Sequence, residues 1–393
     1  TRIVNFGFKN YFSFKEGADI TFSLDKTPAE SIPNNNGVSY VLGIKGANSS
    51  GKTNIIRALG FISDFIKNSH EFKNDKLIEV DPFLMNDDDS EFYLDFYSGE
   101  FLYSYYISLN ESRVTEEILT RKIKREVPVF HRKENTIEDC LSELDEIRKV
   151  KLKNNSSVLS MLNNIEFNMD MKPLKDALDF FKGLVANVDY SGLRESPISY
   201  GYHEICSAYK NVGGSSLAFV KKIIKLSDSS IIDIEIKERI DSESGKKTYT
   251  PYFIHKYGEE KRRIPIYDES SGTKILFRTM GLYWAVLDHG GVMAIDEFDL
   301  HLHAMILPHI IELFEISKSN PKNAQFIFTA HNTEIMDYLG KYRTILVNKK
   351  NLESYCYRLD EMPEGLIPNS HLRGDRKISS LYLKKKLGGV PEL

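Results

Sequence analysis

One segment of the chain, residues 41–56, constrains its fold more than any other. Residues 46–53 read Gly-Ala-Asn-Ser-Ser-Gly-Lys-Thr and fit the pattern G-x-x-x-x-G-K-[ST] without a mismatch. The apolar residues 40–44 predict a buried strand before this loop, and residues 54–66 predict a helix after it. A strand, a glycine-containing loop and a helix in this order are typical of a phosphate-binding loop.

The residue types in the loop explain how it would hold a nucleotide. Its two glycines let the backbone curl so that successive N–H groups point at phosphate oxygens, and the helix that follows adds its positive N-terminal end. Lys52 is expected to reach the β- and γ-phosphates, and the Thr53 hydroxyl is expected to ligate Mg²⁺. The alternative, a Gly/Ser-rich turn before a surface helix, leaves this pair unexplained. The predicted nucleotide-binding residues are Gly46, Ala47, Asn48, Ser49, Ser50, Gly51, Lys52, Thr53 and Asn54.

Length and composition are those of an ordinary globular protein. The 393 residues suggest two or three domains, and contents of 41% apolar and 27% charged residues are usual. No apolar run approaches the ~20 residues that span a bilayer, and no apolar N-terminal stretch precedes a small-residue cleavage site. The scattered Cys140, Cys206 and Cys356 favour reduced thiols over disulfides or a zinc site. We therefore expect a cytoplasmic protein without a membrane partner.

Hydrophobic periodicity predicts an α/β fold. Alternating residues predict strands at 3–8, 18–22, 91–97, 101–109, 114–121 and 127–132. The last four would form an antiparallel meander added to a mixed or parallel phosphate-loop sheet. Helices are predicted near 136–141, 157–162, 174–184 and 215–226, and a hairpin at 231–240 and 248–256. The predicted division is 1–132, 133–226 (a helical insertion or lid) and 227–393.

A second apolar run, residues 290–295, ends in the adjacent carboxylates of Asp296 and Glu297. Adjacent strand residues face opposite ways, so the two acids can take separate tasks. Asp296, facing Thr53, would hold Mg²⁺, and Glu297 would orient or deprotonate the attacking water. Alone, such a pair is more often a helix N-terminal cap. The phosphate loop earlier in the chain favours the catalytic interpretation.

Residues 324–330 predict a strand that ends at His331. A single histidine at a strand end is usually structural. This strand is expected to neighbour the Asp296 strand, and there the imidazole would contact the γ-phosphate.

Ser270, Ser271, Gly272 and Thr273 precede a helix predicted from 275 to 287. A Ser-Ser-Gly turn at a helix N-terminus is a second phosphate-sized anion site. One phosphate loop and two anion-binding turns are reconciled by a head-to-tail pair of subunits, each offering its Ser271–Gly272 turn to the partner's γ-phosphate. The alternative is an ordinary capped helix start.

This order of motifs resembles the ABC/SMC class of ATPase heads. More narrowly, it is similar to the single-chain AAA/ABC ATPases of bacterial anti-phage operons, such as the AbiL-like abortive-infection and PARIS systems. The likeness rests on the phosphate loop, the Ser-Ser-Gly signature, the Asp-Glu strand, the strand that ends in His331, and three further segments. These are the opening residues 6–14, the D-loop-like 298–303 and the closing residues 382–391.

The resemblance implies an ABC-type ATPase head that uses ATP and Mg²⁺ and forms a homodimer or larger homo-oligomer. Lys52, Glu297 and His331 would be catalytic, Thr53 and Asp296 would ligate the metal, and Lys9 and Asn10 would rim the nucleotide. Three departures stand out. The signature is Ser-Ser-Gly-Thr, and Phe298 stands where proline is common. Gln325, the only glutamine, lies just before the His331 strand, so the glutamine that bridges the metal in a usual Q-loop is absent. Hydrolysis is therefore expected to be slow and regulated.

Two classes of function remain open from the sequence. In the first, an ATP-driven switch controls a separate, nuclease-like effector protein from the same operon in response to a phage-derived trigger. In the second, an SMC-like ATPase grips DNA in repair or chromosome maintenance, although a net charge of −4 does not favour nucleic acid. Local basic clusters keep the second class open at 121–125, 148–153, 261–263 and 384–386. A metal pair formed by His301 and His303 is disfavoured, because both fall in the D-loop-like segment.

Overall fold

A computed structural model describes residues 1–24, 32–168, 170–194, 201–240, 247–300, 302–362, 377–385 and 387. Residues 241–246 between the strands of the predicted hairpin, His301 and the closing residues 386 and 388–391 lie outside this part of the chain. The described helices are α1 Lys52–Asn68, α2 Val158–Met161, α3 Lys172–Lys182, α4 Tyr202–Asn211, α5 Ser215–Ser227, α6 Ser271–His289, α7 Leu307–Glu315, α8 Glu334–Leu339 and α9 Ile378–Leu383. Across these ranges, no helix combines the length and apolarity needed to cross a bilayer.

The core sheet carries the phosphate-loop strand near its middle. Its six strands follow the order β11-β17-β18-β5-β19-β20, and all neighbouring pairs are parallel except β19 and β20. Their bounds are β5 Val41–Gly46, β11 Leu184–Ala186, β17 Val292–Ile295, β18 Gln325–Thr329, β19 Thr344–Lys350 and β20 Glu353–Arg358. Every residue of β5, β17 and β18 is buried, as expected for parallel strands covered on both faces. The ends of these strands therefore meet at one edge of the sheet.

The second sheet is the predicted antiparallel meander, extended by the two N-terminal strands. Its order is β10-β9-β8-β7-β6-β1-β2. The bounds are β1 Arg2–Lys9, β2 Ala18–Thr21, β6 Ser90–Ser98, β7 Phe101–Leu109, β8 Val114–Lys122, β9 Glu126–Lys133 and β10 Thr136–Cys140. Phe92, Leu94 and Phe96 of β6 alternate inward, and Phe96 stacks on Phe180 of α3 with ring centroids 3.9 Å apart. The predicted α/β fold with an added antiparallel meander is confirmed.

Helix α1 shares one hydrophobic core with the meander and with helices α2 and α3. Ile55, Leu59 and Ile62 are buried and recur at the spacing of one helix face. Because the helix starts directly at the phosphate loop, burial of this face fixes the position of the loop.

The segment 133–226 is not purely helical. The prediction of a helix at 136–141 is wrong, because these residues form β10, which pairs with β9 and buries Ile137. Five residues are too few for a period of 2 to be distinguished from a period of 3.6. The segment also supplies β11 to the core sheet and the short pair β12 Val188–Asp189 and β13 Gly192–Leu193. The division of the chain at 132 and 226 stays a prediction.

The opposite face of the core sheet is covered by a second hydrophobic core built from α4, α5, α6 and α7. A three-stranded sheet, β14 Ile231–Ile240, β15 Lys247–Tyr257 and β16 Glu260–Pro265, packs beside these helices and contains the predicted hairpin. A short hairpin, β3 Asn34–Asn35 and β4 Val38–Ser39, precedes the phosphate-loop strand. Both faces of the parallel sheet are therefore occupied, and the edge where its strands end carries the predicted motifs.

Candidate active site

The phosphate loop joins the end of β5 to the start of α1. Gly51 stands at the helix N-cap with φ 108°, and Ser49 also has a positive φ of 63°. A Cβ atom on Gly46 would lie 2.4 Å from the main-chain oxygen of Val347, so only glycine fits there. Backbone conformation therefore requires the glycine at position 51, and close packing requires the glycine at position 46.

Lys52 lies folded back over its own loop. Its Nζ donates hydrogen bonds to the main-chain oxygens of Gly46 at 3.0 Å and Ala47 at 2.9 Å. Burial lowers the pKa of this ammonium, and three nearby carboxylates act in the opposite direction, those of Asp296, Glu297 and Asp299. A cation held by neutral carbonyls in a buried loop is suited to an anionic ligand.

The remaining loop residues divide into exposed and anchored positions. Asn48 and Ser49 are exposed at the tip, whereas Ser50 is buried. Asn54 donates through its side-chain amide to the Ser13 hydroxyl at 2.9 Å and accepts from Arg57 at 2.9 Å. Asn54 thus ties the first turn of α1 to the N-terminal segment of the chain.

The Thr53 hydroxyl donates a 2.8 Å hydrogen bond to Asp296 Oδ2, as the sequence predicts for two ligands of one metal. The Thr329 hydroxyl, at the end of β18, donates to the other oxygen of the same carboxylate. Asn187, which follows β11, holds the main chain of Asp296 on both sides. Its Oδ1 accepts from the Asp296 N–H at 2.7 Å, and its Nδ2 donates to the Asp296 carbonyl at 2.9 Å. Thr53 in α1 and Thr329 in β18 therefore hold the carboxylate, and Asn187 holds the main chain of the same residue.

Glu297 and His331 are close together at the ends of β17 and β18. Glu297 has a φ of 52°, and its N–H donates to the Thr329 hydroxyl at 2.9 Å. Its Oε1 lies 3.7 Å from Nε2 of His331, and both side chains are partly exposed, at 35% and 51%. The pair is therefore open to a ligand bound on this edge of the sheet.

Asp299 fixes the main chain at His331. Its carboxylate accepts from the N–H of His331 at 2.9 and 3.0 Å and from the N–H of Asn332 at 2.6 Å. The sequence placed Asp299 only within a D-loop-like segment and assigned it no role. Asn187 was missed altogether, because the strand before it has only three residues.

Gln325 has no part in the site. It is buried, and its side-chain oxygen accepts a hydrogen bond from the Ile3 N–H at 2.6 Å. Its side-chain nitrogen donates to the carbonyls of Ile3 at 2.9 Å and Ser39 at 3.1 Å. Gln325 therefore joins the N-terminal strand to the core sheet, and the polar group that follows the edge strand next to β17 is Asn187.

The N-terminal segment approaches the loop through Ser13. The Ser354 hydroxyl donates to the Ser13 hydroxyl at 2.7 Å, and a Cβ on Gly51 would lie 3.0 Å from that oxygen. Asn10 is buried, and its side-chain nitrogen donates to the Asn86 side chain and to the main-chain oxygens of residues 88 and 89. Its side-chain oxygen accepts from the main-chain N–H of residue 83. Lys9 forms an ion pair with Glu91 at 3.6 Å. These contacts give Asn10 a structural role, and the prediction that Lys9 and Asn10 rim the nucleotide stays untested.

The Ser-Ser-Gly turn lies at the N-terminus of α6. Ser270 is the N-cap and accepts a 3.1 Å hydrogen bond from the Thr273 N–H, as in an ordinary capped helix. Ser271 is exposed, and Gly272 is half-buried. Ser271 also lines a cavity of about 450 Å³ that reaches Asp296 and Glu297 of the same chain. Ser271 is thus open to solvent and also lines the same cavity as Asp296 and Glu297 of its own chain.

The chemistry of these groups fits a nucleoside triphosphate with a divalent cation. The buried Ser50 hydroxyl has no hydrogen-bond partner among the described residues and lies in the loop that would receive phosphate. Thr53 and Asp296 supply the hydroxyl and carboxylate oxygens that Mg²⁺ prefers. The arrangement can therefore bind phosphate, hold a cation and place a carboxylate and an imidazole beside the reacting group.

One family model matches most of the chain. A family model described as "AAA domain, putative AbiEii toxin, Type IV TA system" matches residues 41–337. No curated protein matches the chain.

Solved structures similar to the chain include three SMC heads. An SMC head bound to the C-winged helix domain of ScpA is 14% identical over 92% of this chain and 99% of that chain, with a TM-score of 0.48. An SMC head domain from Thermotoga maritima is 17% identical over 91% and 99%, with a TM-score of 0.41. A third, from Pyrococcus furiosus, has an extended coiled coil and is bound to the C-terminal domain of ScpA. It is 14% identical over 91% and 96%, with a TM-score of 0.39.

Proposed function

The chain belongs to this AAA domain family, and we propose that it binds and hydrolyses ATP, pairs head-to-tail around the nucleotide and acts as a switch on an effector protein in anti-phage defence. The observation that carries the proposal is the hydrogen bond between Thr53 and Asp296 beside the Glu297–His331 pair. This hydrogen bond joins the residue that follows the phosphate loop to the carboxylates at the end of β17.

Each residue would have a separate task in hydrolysis. The loop N–H groups and Lys52 would bind the phosphates, and His331 would contact the γ-phosphate. Glu297 would accept the proton of the attacking water. Thr53 and Asp296 would hold Mg²⁺, which when bound offsets the charge of the β- and γ-phosphates. Asn187 and Thr329 would keep the Asp296 carboxylate in place.

The head-to-tail pairing is supported by Ser271, which is exposed at the N-terminus of a 19-residue helix. A second subunit's triphosphate at this turn would be bound by the N–H groups of the first helical turn. ATP would then link two subunits, and hydrolysis would release them. Such a change in assembly is what a partner protein would sense.

Assembly of the hydrolysis-deficient variant tests the proposal. In Glu297→Gln we expect ATP to bind, hydrolysis to fall by about 100-fold or more, and a dimer to persist in gel filtration with light scattering. Lys52→Ala should neither bind ATP nor dimerise. Glu100→Gln, in the exposed turn between β6 and β7, is the matched control and should behave as wild type. If Glu297→Gln binds ATP yet stays monomeric at every concentration, the pairing is wrong.

The switch role is tested separately in cells. We expect affinity capture of the wild-type chain to recover a nuclease-like protein from the same operon, and the amount recovered to differ between Glu297→Gln and Lys52→Ala. Phage challenge of cells with and without the operon provides the second readout. Equal plating efficiency in both would contradict the defence role and leave the ATPase proposal intact.

A DNA-binding ATPase is the second candidate, and one surface favours it. Lys122, Lys124 and Arg125 lie exposed at the turn between β8 and β9 and form no ion pair with another described residue. Phosphate contacts through such residues weaken steeply as salt rises. Filter binding with duplex DNA across a salt series, with and without ATP, separates the two candidates. A salt-dependent affinity that charge reversal at Lys124 removes would favour DNA.

A further inference from the structure

Lys45 is a buried lysine next to the end of the phosphate-loop strand β5, a position that packing alone would fill with an apolar side chain. It is 6% exposed. Its Nζ donates to the main-chain oxygen of Ala330 at 3.2 Å and also to that of His331. Burying an ammonium is costly unless its hydrogen bonds are satisfied, so these contacts account for its presence there.

The contacts of Lys45 complement those of Asp299. The carboxylate of Asp299 accepts from the N–H groups of His331 and Asn332, while Lys45 binds the carbonyls of Ala330 and His331. Both polar groups of the His331 main chain are therefore held by charged side chains, one from β5 and one from the segment after β17.

One group of opposite charge, one of like charge and one aromatic ring surround Lys45. Asp299 and Lys52 are the charged groups that act on it, and the centroid of the Tyr382 ring in α9 lies 5.7 Å from its Nζ. Helix α9 is held against α8 by hydrogen bonds from Ser379 to the Asp337 carboxylate. The Tyr382 ring beside the Lys45 ammonium therefore belongs to a helix that is fixed to the core through α8.

We propose that Lys45 is a positioning residue that holds the main chain at His331 so that its imidazole faces Glu297 and the γ-phosphate. The inference rests on the proposed function, because it assigns Lys45 to the hydrolysis step. Lys45 touches no reacting atom and acts through His331. Loss of its hydrogen bonds would leave nucleotide binding by the loop in place and lower the turnover rate.

Lys45→Met tests the inference, because it keeps the length of the side chain and removes its donors. We expect kcat for ATP hydrolysis to fall by about tenfold or more, because the segment at His331, which would meet the γ-phosphate, loses a charged hydrogen-bond donor. KM for ATP should change little, because the phosphate loop that binds the nucleotide is unaltered. Lys67→Met is the matched control. Lys67, in α1, likewise donates to a main-chain carbonyl, that of Leu184 at 3.2 Å, but is not in contact with the site. It should leave kcat within about twofold of wild type.

A double variant separates positioning from general destabilisation. In the His331→Ala background, Lys45→Met should lower kcat by less than about twofold, because its effect passes through the imidazole. An additional tenfold loss in that background would overturn the inference. If Lys45→Met does not fold, Lys45→Gln serves in its place, since its shorter amide cannot reach both carbonyls.

Amide hydrogen exchange gives a readout that does not require activity. In the nucleotide-free protein, Lys45→Met should raise exchange at His331 and Asn332 by about tenfold or more, whereas Lys67→Met should not. Unchanged exchange there, with unchanged kcat, would refute the role of Lys45. If the wild type fails to hydrolyse ATP, the proposed function fails, and faster exchange still establishes that Lys45 holds this segment.

Discussion

Thr53 and Asp296 are 243 positions apart in the sequence, and the hydroxyl of one donates a 2.8 Å hydrogen bond to the carboxylate of the other. The strands that precede them, β5 and β17, are not neighbours, because β18 lies between the two. Thr329, at the end of β18, completes the bridge by donating to the second oxygen of Asp296. The carboxylate is thus held in place before any cation arrives, which reduces the cost of ordering it on binding.

The first prediction concerns this carboxylate. Asp296→Asn removes the negative charge that Mg²⁺ would meet and keeps the size of the side chain. We expect the Mg²⁺ concentration for half-maximal ATP hydrolysis to rise and the maximal rate to fall by about 100-fold or more. Asp288→Asn, exposed near the end of α6, is the control. Hydrolysis by Asp296→Asn at the wild-type rate and Mg²⁺ dependence would show that the metal is held elsewhere.

The second prediction distinguishes a partner's nucleotide from the chain's own nucleotide at Ser271. In the Glu297→Gln background, Ser271→Arg should prevent ATP-dependent dimerisation while binding of a fluorescent ATP analogue is unchanged. Ser215→Arg, at the exposed first residue of α5, is the matched control and should still dimerise. Loss of nucleotide binding by the Ser271→Arg monomer would instead indicate that Ser271 acts within its own subunit, through the cavity it shares with Asp296.

The parts of the site that the sequence predicted are those with local signals. The phosphate loop has a fixed spacing, and β17 and β18 are short apolar runs that end in polar residues, so the meeting of Thr53 with Asp296 follows from parallel strand order. Asn187 and Lys45 have no such signal. Asn187 follows a strand of three residues, and Lys45 interrupts an otherwise apolar strand, so the function of each is defined only by partners more than 100 positions away.

The third prediction concerns stability and the pair Glu117–Arg132. Both side chains are fully buried on neighbouring meander strands, with Arg132 NH1 3.3 Å from Glu117 Oε2. Burial raises the pKa of the Glu117 carboxyl, and the guanidinium acts against that rise. Arg132→Met leaves the acid without its cation and should lower the free energy of unfolding by roughly 3–5 kcal/mol in urea titrations.

The matched measurement is the double variant Glu117→Gln/Arg132→Met. Because it removes the uncompensated charge, it should be less destabilised than the sum of its two single variants. Strict additivity would indicate that the two side chains are stabilised independently by their main-chain partners. These are Val158 for Glu117, and Glu134, Lys153 and Ser156 for Arg132.

The last prediction is the pH dependence of Lys45. Burial lowers the pKa of its ammonium from 10.5 to about 8; Asp299 acts against this shift and Lys52 adds to it. The charged form donates hydrogen bonds to the His331 main chain, so the ratio of kcat/KM between wild type and Lys45→Met should be constant below about pH 8 and decline above it.

The stability of the fold should change with pH in the opposite direction. Between about pH 8 and 10.5 the unfolded chain keeps a proton that the folded chain has released, so the stability of wild type relative to Lys45→Met should rise with pH. Activity and stability that fall together across this window would assign the titration to another group.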